Sequence, residues 1–165
     1  MKPRAPTLLA TLAALIVGLI PNILNAQQKI LRFEDYPVRE IYRGKNAPVV
    51  MNRSTRTFKT RLREAAREKP NFAGRYILTT WGCGTGCQLG AVIDAPTGKV
   101  HWLPFAVSAD YDTDSEIDPI QFQLTSKLII FNGYRADRDE EPGTRYYKFQ
   151  NGRFVFLRFE KKSSR

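Results

Sequence analysis

The chain is poor in the residues that most often carry soft-metal and acid–base chemistry. Among 165 residues there are two cysteines, two methionines and a single histidine, His101. One histidine leaves little room for a Ser-His-Asp arrangement, and no nucleophile-elbow motif accompanies it. No glycine-rich segment runs into a helical pattern, so a phosphate-cradling loop of that kind is absent. The two cysteines are separated by three residues rather than two, and no thioredoxin-like βαβ pattern surrounds them, which argues against dithiol catalysis. The longest apolar run, residues 8–20, is shorter than the roughly 20 residues a membrane-spanning helix needs.

That run fits a secretory signal peptide instead of a retained anchor. Lys2 and Arg4 provide a short positive region, Pro21 and Asn22 break the helix, and Ala26 offers a small residue for cleavage. Leu24 is an imperfect residue three positions before that cut. No cysteine lies nearby, which excludes a lipid-modified N-terminal cysteine. The expected organisation is a signal peptide over 1–26 and one domain over 27–165, long enough to bury its own core. The implied location is periplasmic or extracellular, with no stable membrane span once the signal is removed.

What the domain has in abundance is positive charge. Residues 27–165 carry 24 basic and 16 acidic side chains, a net +8. The excess is concentrated at +7 in 27–70, reverses to −4 in 71–118 and returns to +5 in 119–165. Such a balance favours anionic partners and surfaces. Outside the cell these are envelope components or acidic proteins, and nucleic acid is not expected.

Residues 56–69 carry the one helical pattern. Phe58, Leu62, Ala65 and Ala66 share a stripe, Ser54 or Thr55 is placed to cap, and Pro70 ends the run. Arg56, Lys59, Arg63 and Arg67 fall on the opposite side, either as a solvated face or as an anion-binding one. Before the helix the chain is irregular, with 49–51 a candidate edge strand. After it, strand-forming runs appear at 76–81, 89–94, 100–105, 122–124 and 128–131. The last two, 145–150 and 153–159, are joined by Asn151-Gly152, the preferred type I′ hairpin turn. In that register Phe149 faces Phe154 and Tyr147 faces Phe156, with Tyr146, Val155 and Leu157 on the other face. Both faces are apolar, so both need cover, one of them from the helix. The expected fold is α+β: an antiparallel β meander of about six strands, as a curled sheet or small barrel or sandwich, with one N-terminal amphipathic helix.

Cys83 and Cys87 sit among three glycines between two strand segments. In an exported protein they are expected to pair, since intervening glycines let so short a loop turn tightly. A loop this small limits the stabilisation to about 2 kcal/mol. The competing reading is a Cu(I) or thiol-redox site in which His101 joins Cys83 and Cys87. Asp110, Asp112 and Asp114, followed by Glu116 and Asp118, resemble the start of a calcium loop. Ser115 and Gln121 then stand where such a loop needs its glycine and its bidentate glutamate, which favours a solvated acidic loop. The alternation of Arg145, Tyr146, Tyr147, Lys148, Phe149, Arg153, Phe154 and Arg158 could form a nucleic-acid or sugar platform, but the hairpin's need for cover assigns those aromatics to the core. No catalytic residue and no cofactor is indicated. An open apolar cleft beside Trp81 and Trp102 would mark a ligand site.

The segments 71–76 (Asn-Phe-Ala-Gly-Arg-Tyr), 81–88 (Trp-Gly-Cys-Gly-Thr-Gly-Cys-Gln) and 94–100 (Asp-Ala-Pro-Thr-Gly-Lys-Val) together resemble a family of small exported bacterial proteins of unassigned function. The likeness covers the middle third of the chain. It implies a secreted or periplasmic location and carries over no catalytic residues. The combined expectation is an exported, non-catalytic binding domain whose partner is a protein or an anionic envelope component.

Overall fold

A computed structural model describes residues 29–108, 118–138 and 140–162. Residues 1–26, expected to be a signal peptide, and the aspartates 110, 112 and 114 lie outside the described residues. Among the described residues eight strands form, in chain order β1 (Tyr76–Gly84), β2 (Cys87–Asp94), β3 (Val100–Trp102), β4 (Val107–Ser108), β5 (Ile120–Phe122), β6 (Leu128–Arg135), β7 (Gly143–Gln150) and β8 (Arg153–Lys161). Every pairing is antiparallel, in the order β1-β2-β4-β6-β7-β8, with β3 added to β2 and β5 to β6. The mainly antiparallel α+β reading therefore holds, with eight strands in place of about six. The sheet is open, with β1 and β8 as its edges. Nor is it a simple meander. The two-residue strand β4 bridges the halves by pairing Val107 with Gln88 on one side and Arg135 on the other.

The two halves close over a shared core. Tyr76, Leu78 and Val92 from the β1–β2 side meet Ile129, Phe131, Tyr147 and Phe149 from the β6–β7 side, with Phe72 and Phe105 between them. Alternation along each strand sends the next residues outward, and each outer face has its own cover. Ile77, Trp81, Ala91 and Ile93 pack under the helix residues Leu62 and Ala65. Leu128, Ile130 and Tyr146 pack under Leu31, Phe33 and Tyr36 of the N-terminal segment. The helix thus covers the first hairpin, and the segment around the 3₁₀ turn Phe33–Asp35 covers the last one.

The helix α1 (Lys59–Ala65) is shorter than the periodic pattern over 56–69 and lies a third of the way along the chain rather than at its start. A 3₁₀ turn, Arg56–Phe58, precedes it. At the other end Arg67 and Glu68 turn back to the carbonyls three residues earlier, and Asn46 Nδ2 donates to the carbonyls of Ala66 and Glu68 at 2.9 and 2.7 Å. That side chain satisfies the carbonyl of the C-cap residue Ala66 and a second one just past the helix. Neither Ser54 nor Thr55 caps the helix. Asn52 Oδ1 draws both of their backbone N–H groups into a turn, and the buried Thr55 hydroxyl bonds back to Asn52. Residues 49–51 form no strand. Val50 makes one backbone bond, donating to the Gly98 carbonyl at 2.8 Å.

The last hairpin has the expected register: Phe149 opposes Phe154 and Tyr147 opposes Phe156. Asn151 (φ 53°) and Gly152 (φ 72°) take the left-handed conformations of a type I′ turn. A bulge between Tyr146 and Tyr147 then shifts the partner strand, so that Tyr146 opposes Arg158 and Arg145 opposes Phe159. Because β8 is an edge, Val155, Phe156 and Phe159 stay exposed instead of entering the core. Charged residues and the bulge are devices that keep such an edge from pairing with other chains.

Gly98 closes the turn after β2 with φ +70°, and the Pro48 carbonyl lies where its Cβ would be. Gly98→Ala is expected to lower stability by about 2 kcal/mol or more, since a left-handed alanine and a backbone clash coincide. A denaturation midpoint unchanged from wild type would show that the 47–50 segment does not press on this turn.

Candidate functional site

The cysteine loop is the tip of the β1–β2 hairpin. Cys83 and Cys87 form a disulfide with Cα atoms 5.1 Å apart, inside the range such a bond requires. Gly82 pairs with Gln88 and Gly84 with Cys87, so Cys83 is the extra residue of a bulge and the bond spans it. His101 is not brought to this tip. It pairs with Val92, five residues along β2 from Cys87, which is about 16 Å at strand rise. With both sulfurs joined and the imidazole at the other end of the hairpin, Cys83, Cys87 and His101 do not form a common ligand set. No cluster of three or more His, Cys, Asp or Glu side chains with metal-binding geometry occurs among the described residues. Beside Trp81 and Trp102 the space between the two indoles is occupied. Phe58 fills that space, with its ring 5.0 Å from Trp81 and 5.3 Å from Trp102.

Arg56, Lys59, Arg63 and Arg67 are all exposed, and no salt bridge among the described residues engages any of them. The reason is local. Leu62 and Ala65 anchor α1 to the sheet, which turns the cationic side outward. Lys59 and Arg63 are four residues apart and therefore adjacent on the helix surface, where like charges repel mildly. Arg67 lies beyond the helix and also lines a cavity of about 750 Å³ between 41–46 and 66–70. Arg43, Lys45 and Lys69 line the same cavity, with Glu68 as its one acidic residue. The helix face and this groove are thus one continuous basic surface joined at Arg67.

A second recess, of about 480 Å³, gathers residues from six segments. Arg39 and Glu40 come from the strap before the helix, Arg75 and Tyr76 from the start of β1, and Asp94 and Lys99 from the turn after β2. His101 comes from β3, Lys127 from the start of β6, and Phe149 through Gly152 from the Asn-Gly hairpin. Asp94 is buried. Its Oδ2 accepts from Arg75 Nη2 at 3.0 Å and Thr97 Oγ1 at 2.9 Å, while Oδ1 has no hydrogen-bond partner among the described residues. The His101 ring rests edge-on against Phe149 (5.7 Å) and Tyr76 (6.4 Å), and a side chain at Gly152 would collide with it. The sequence pattern gave no notice of this recess. Asp94 and Lys99 belong to a visible turn, but nothing in their spacing connects them with Arg39 or Lys127.

Burial holds the His101 imidazole below its ordinary value of 6.5, with Lys99 and more weakly Arg75 acting in the same direction. Asp94 and the Gly152 backbone oppose them. The unfolded chain therefore takes up a proton at higher pH than the folded one. The stability linked to neutral His101 is complete above about pH 6.5 and is lost as the pH falls toward the lower folded-state value. A His101→Gln variant should lose less stability than wild type between pH 7.5 and pH 5 in denaturant titrations. Equal losses would mean that burial does not act on this ring.

Comparison with family models, with curated proteins and with solved structures finds no match for this chain. No helix among the described residues is long and apolar enough to cross a membrane.

Proposed function

We propose that the chain is an exported, non-catalytic binding domain whose partner is an anionic component of the cell envelope. The observation that carries this reading is the basic surface formed by Arg56, Lys59, Arg63 and Arg67 and continued into the groove by Arg43, Lys45 and Lys69, none of them in a salt bridge to a described residue. Between residues 53 and 69 there are seven basic and two acidic side chains. Charges that neutralise one another inside the protein attract no partner; these are held outward and remain available. A face continuous with a groove suits an extended or laterally spread polyanion better than a single small ion. The signal-like N-terminus supports export. So does the disulfide, because such bonds persist mainly outside the reducing cytosol.

The test is retention on native envelope material of wild type and of the variant in which all four cations are glutamine. The variant should wash off at lower salt than wild type, with the difference largest at low ionic strength. Equal retention would make the face merely solvated. Loss of retention after protease treatment of the envelope would move the partner to an acidic protein.

A further inference from the structure

We propose that the recess around His101 is a ligand site for a small phosphorylated polyol. It lies apart from the helix face and does not depend on it. At about 480 Å³ it falls within the size of small-molecule sites, and it is built by six segments that the fold brings together. Its charged lining is Arg39, Arg75, Lys99 and Lys127 against Glu40 and Asp94, a net +2 while His101 is neutral. Among the four cations only Arg75 forms a salt bridge to a described residue. A phosphomonoester complements that surplus: it carries close to two negative charges and three acceptor oxygens, so cations from different walls can reach it together.

The polyol part rests on Asp94. The pair Arg75–Asp94 and the Thr97 hydroxyl fix its carboxylate in the wall of the recess, yet Oδ1 is left as a buried acceptor that no described donor reaches. Buried polar atoms in folded proteins are nearly always satisfied, so a carboxylate that lines the recess with one oxygen unpartnered among the described residues has acceptor capacity left for a ligand's donors. A bare anion brings acceptors for the cations but few donors for Asp94. A hydroxylated phosphate ester brings both. The aromatic floor of Tyr76, His101 and Phe149 holds the recess in shape rather than stacking on the ligand, since Tyr76 and Phe149 are almost fully covered.

His101, as the only histidine, reports on the site directly. Glu40, Asp94, Arg39, Arg75, Lys99, Lys127 and Tyr76 are the charged and titratable groups around the recess. A bound dianion would offset the cations that disfavour imidazolium and raise the pKa of the ring. In a proton NMR titration of the full domain, sn-glycerol 3-phosphate should therefore shift the His101 resonances saturably and move its titration to higher pH, whereas glycerol should do neither. Lys99→Gln and Lys127→Gln should each weaken the response about tenfold, because each removes one charge-assisted contact. The Lys127 backbone bonds to Tyr36 and Phe149 are untouched by that change, and an unaltered melting temperature verifies the fold. The four-glutamine helix variant should keep the full response, which separates this site from the envelope-binding surface. No saturable shift, or an equal shift with sodium chloride at matched ionic strength, overturns the proposal. Inorganic phosphate binding as tightly as the ester overturns its polyol part.

Discussion

Replacing Phe149 by alanine is expected to destabilise the domain by about 3–5 kcal/mol, as truncation of a buried aromatic does. Phe149 is 1% exposed and stands where the two halves of the sheet meet. Its ring lies 4.8 Å from Tyr76 and 5.5 Å from Phe72 on one side, and 4.7 Å from its hairpin partner Phe154 on the other. Removing it would open a cavity between layers that the single short bridge β4 does little else to hold together. Domains of this size are stable by only about 5–15 kcal/mol, so the change takes away a large fraction of the total. Chemical denaturation provides the measurement, and Phe156→Ala the control. Phe156 is 54% exposed on the β8 edge, and its truncation should cost about 0.5 kcal/mol or less. Similar costs at the two positions would contradict the shared core.

The second large effect is expected in binding. A basic side chain close to an anionic surface contributes about 1 kcal/mol, so glutamine at Arg56, Lys59, Arg63 and Arg67 should weaken binding to phosphatidylglycerol vesicles by about 10²–10³-fold at low salt. The loss should come without unfolding. All four side chains are exposed, Leu62 and Ala65 still anchor α1, and glutamine is nearly as good a helix former as lysine or arginine. Raising the salt should shrink the gap between wild type and variant, because screening removes from wild type what the substitutions remove from the variant.

The legible parts of this fold are those written by local chemistry. Asn151-Gly152 between apolar alternations specifies a type I′ hairpin, and its register follows as expected down to Tyr147 and Phe156. The glycines around Cys83 and Cys87 permit a clamped tip, and the spacing of Leu62 and Ala65 places the helix. What was not legible is non-local. The two-residue β4 is too short to leave a pattern, and it alone decides that the sheet runs on from β2 to β6. The cover over Tyr146 and Leu128 comes from Leu31, Phe33 and Tyr36, an irregular segment with no period to read. The helix is shorter than its pattern because the apolar stripe continues into residues that Asn46 turns aside.

The same division runs through the candidate sites. The cations share one segment; the exposure of Lys59 and Arg63 follows from helical geometry, and Arg56 and Arg67 flank the helix on either side. The recess at His101 could not be read this way. Arg39, Arg75, Lys99 and Lys127 are spread over 89 positions of the chain and meet only because the strap, two turns and a hairpin converge. His101 itself, grouped with the cysteines as the only histidine and on a neighbouring strand, faces the Asn-Gly turn at the opposite end of that strand neighbour.

The central claim, an outward basic surface that holds the protein on an anionic envelope component, is tested most directly by sedimentation with phosphatidylglycerol vesicles at low and at high salt. Phosphatidylcholine vesicles serve as the uncharged reference. The account predicts strong wild-type binding to the anionic vesicles alone, steeply reduced by salt and by the four glutamines. Binding that is equal on both lipids, or indifferent to the four substitutions, would contradict it.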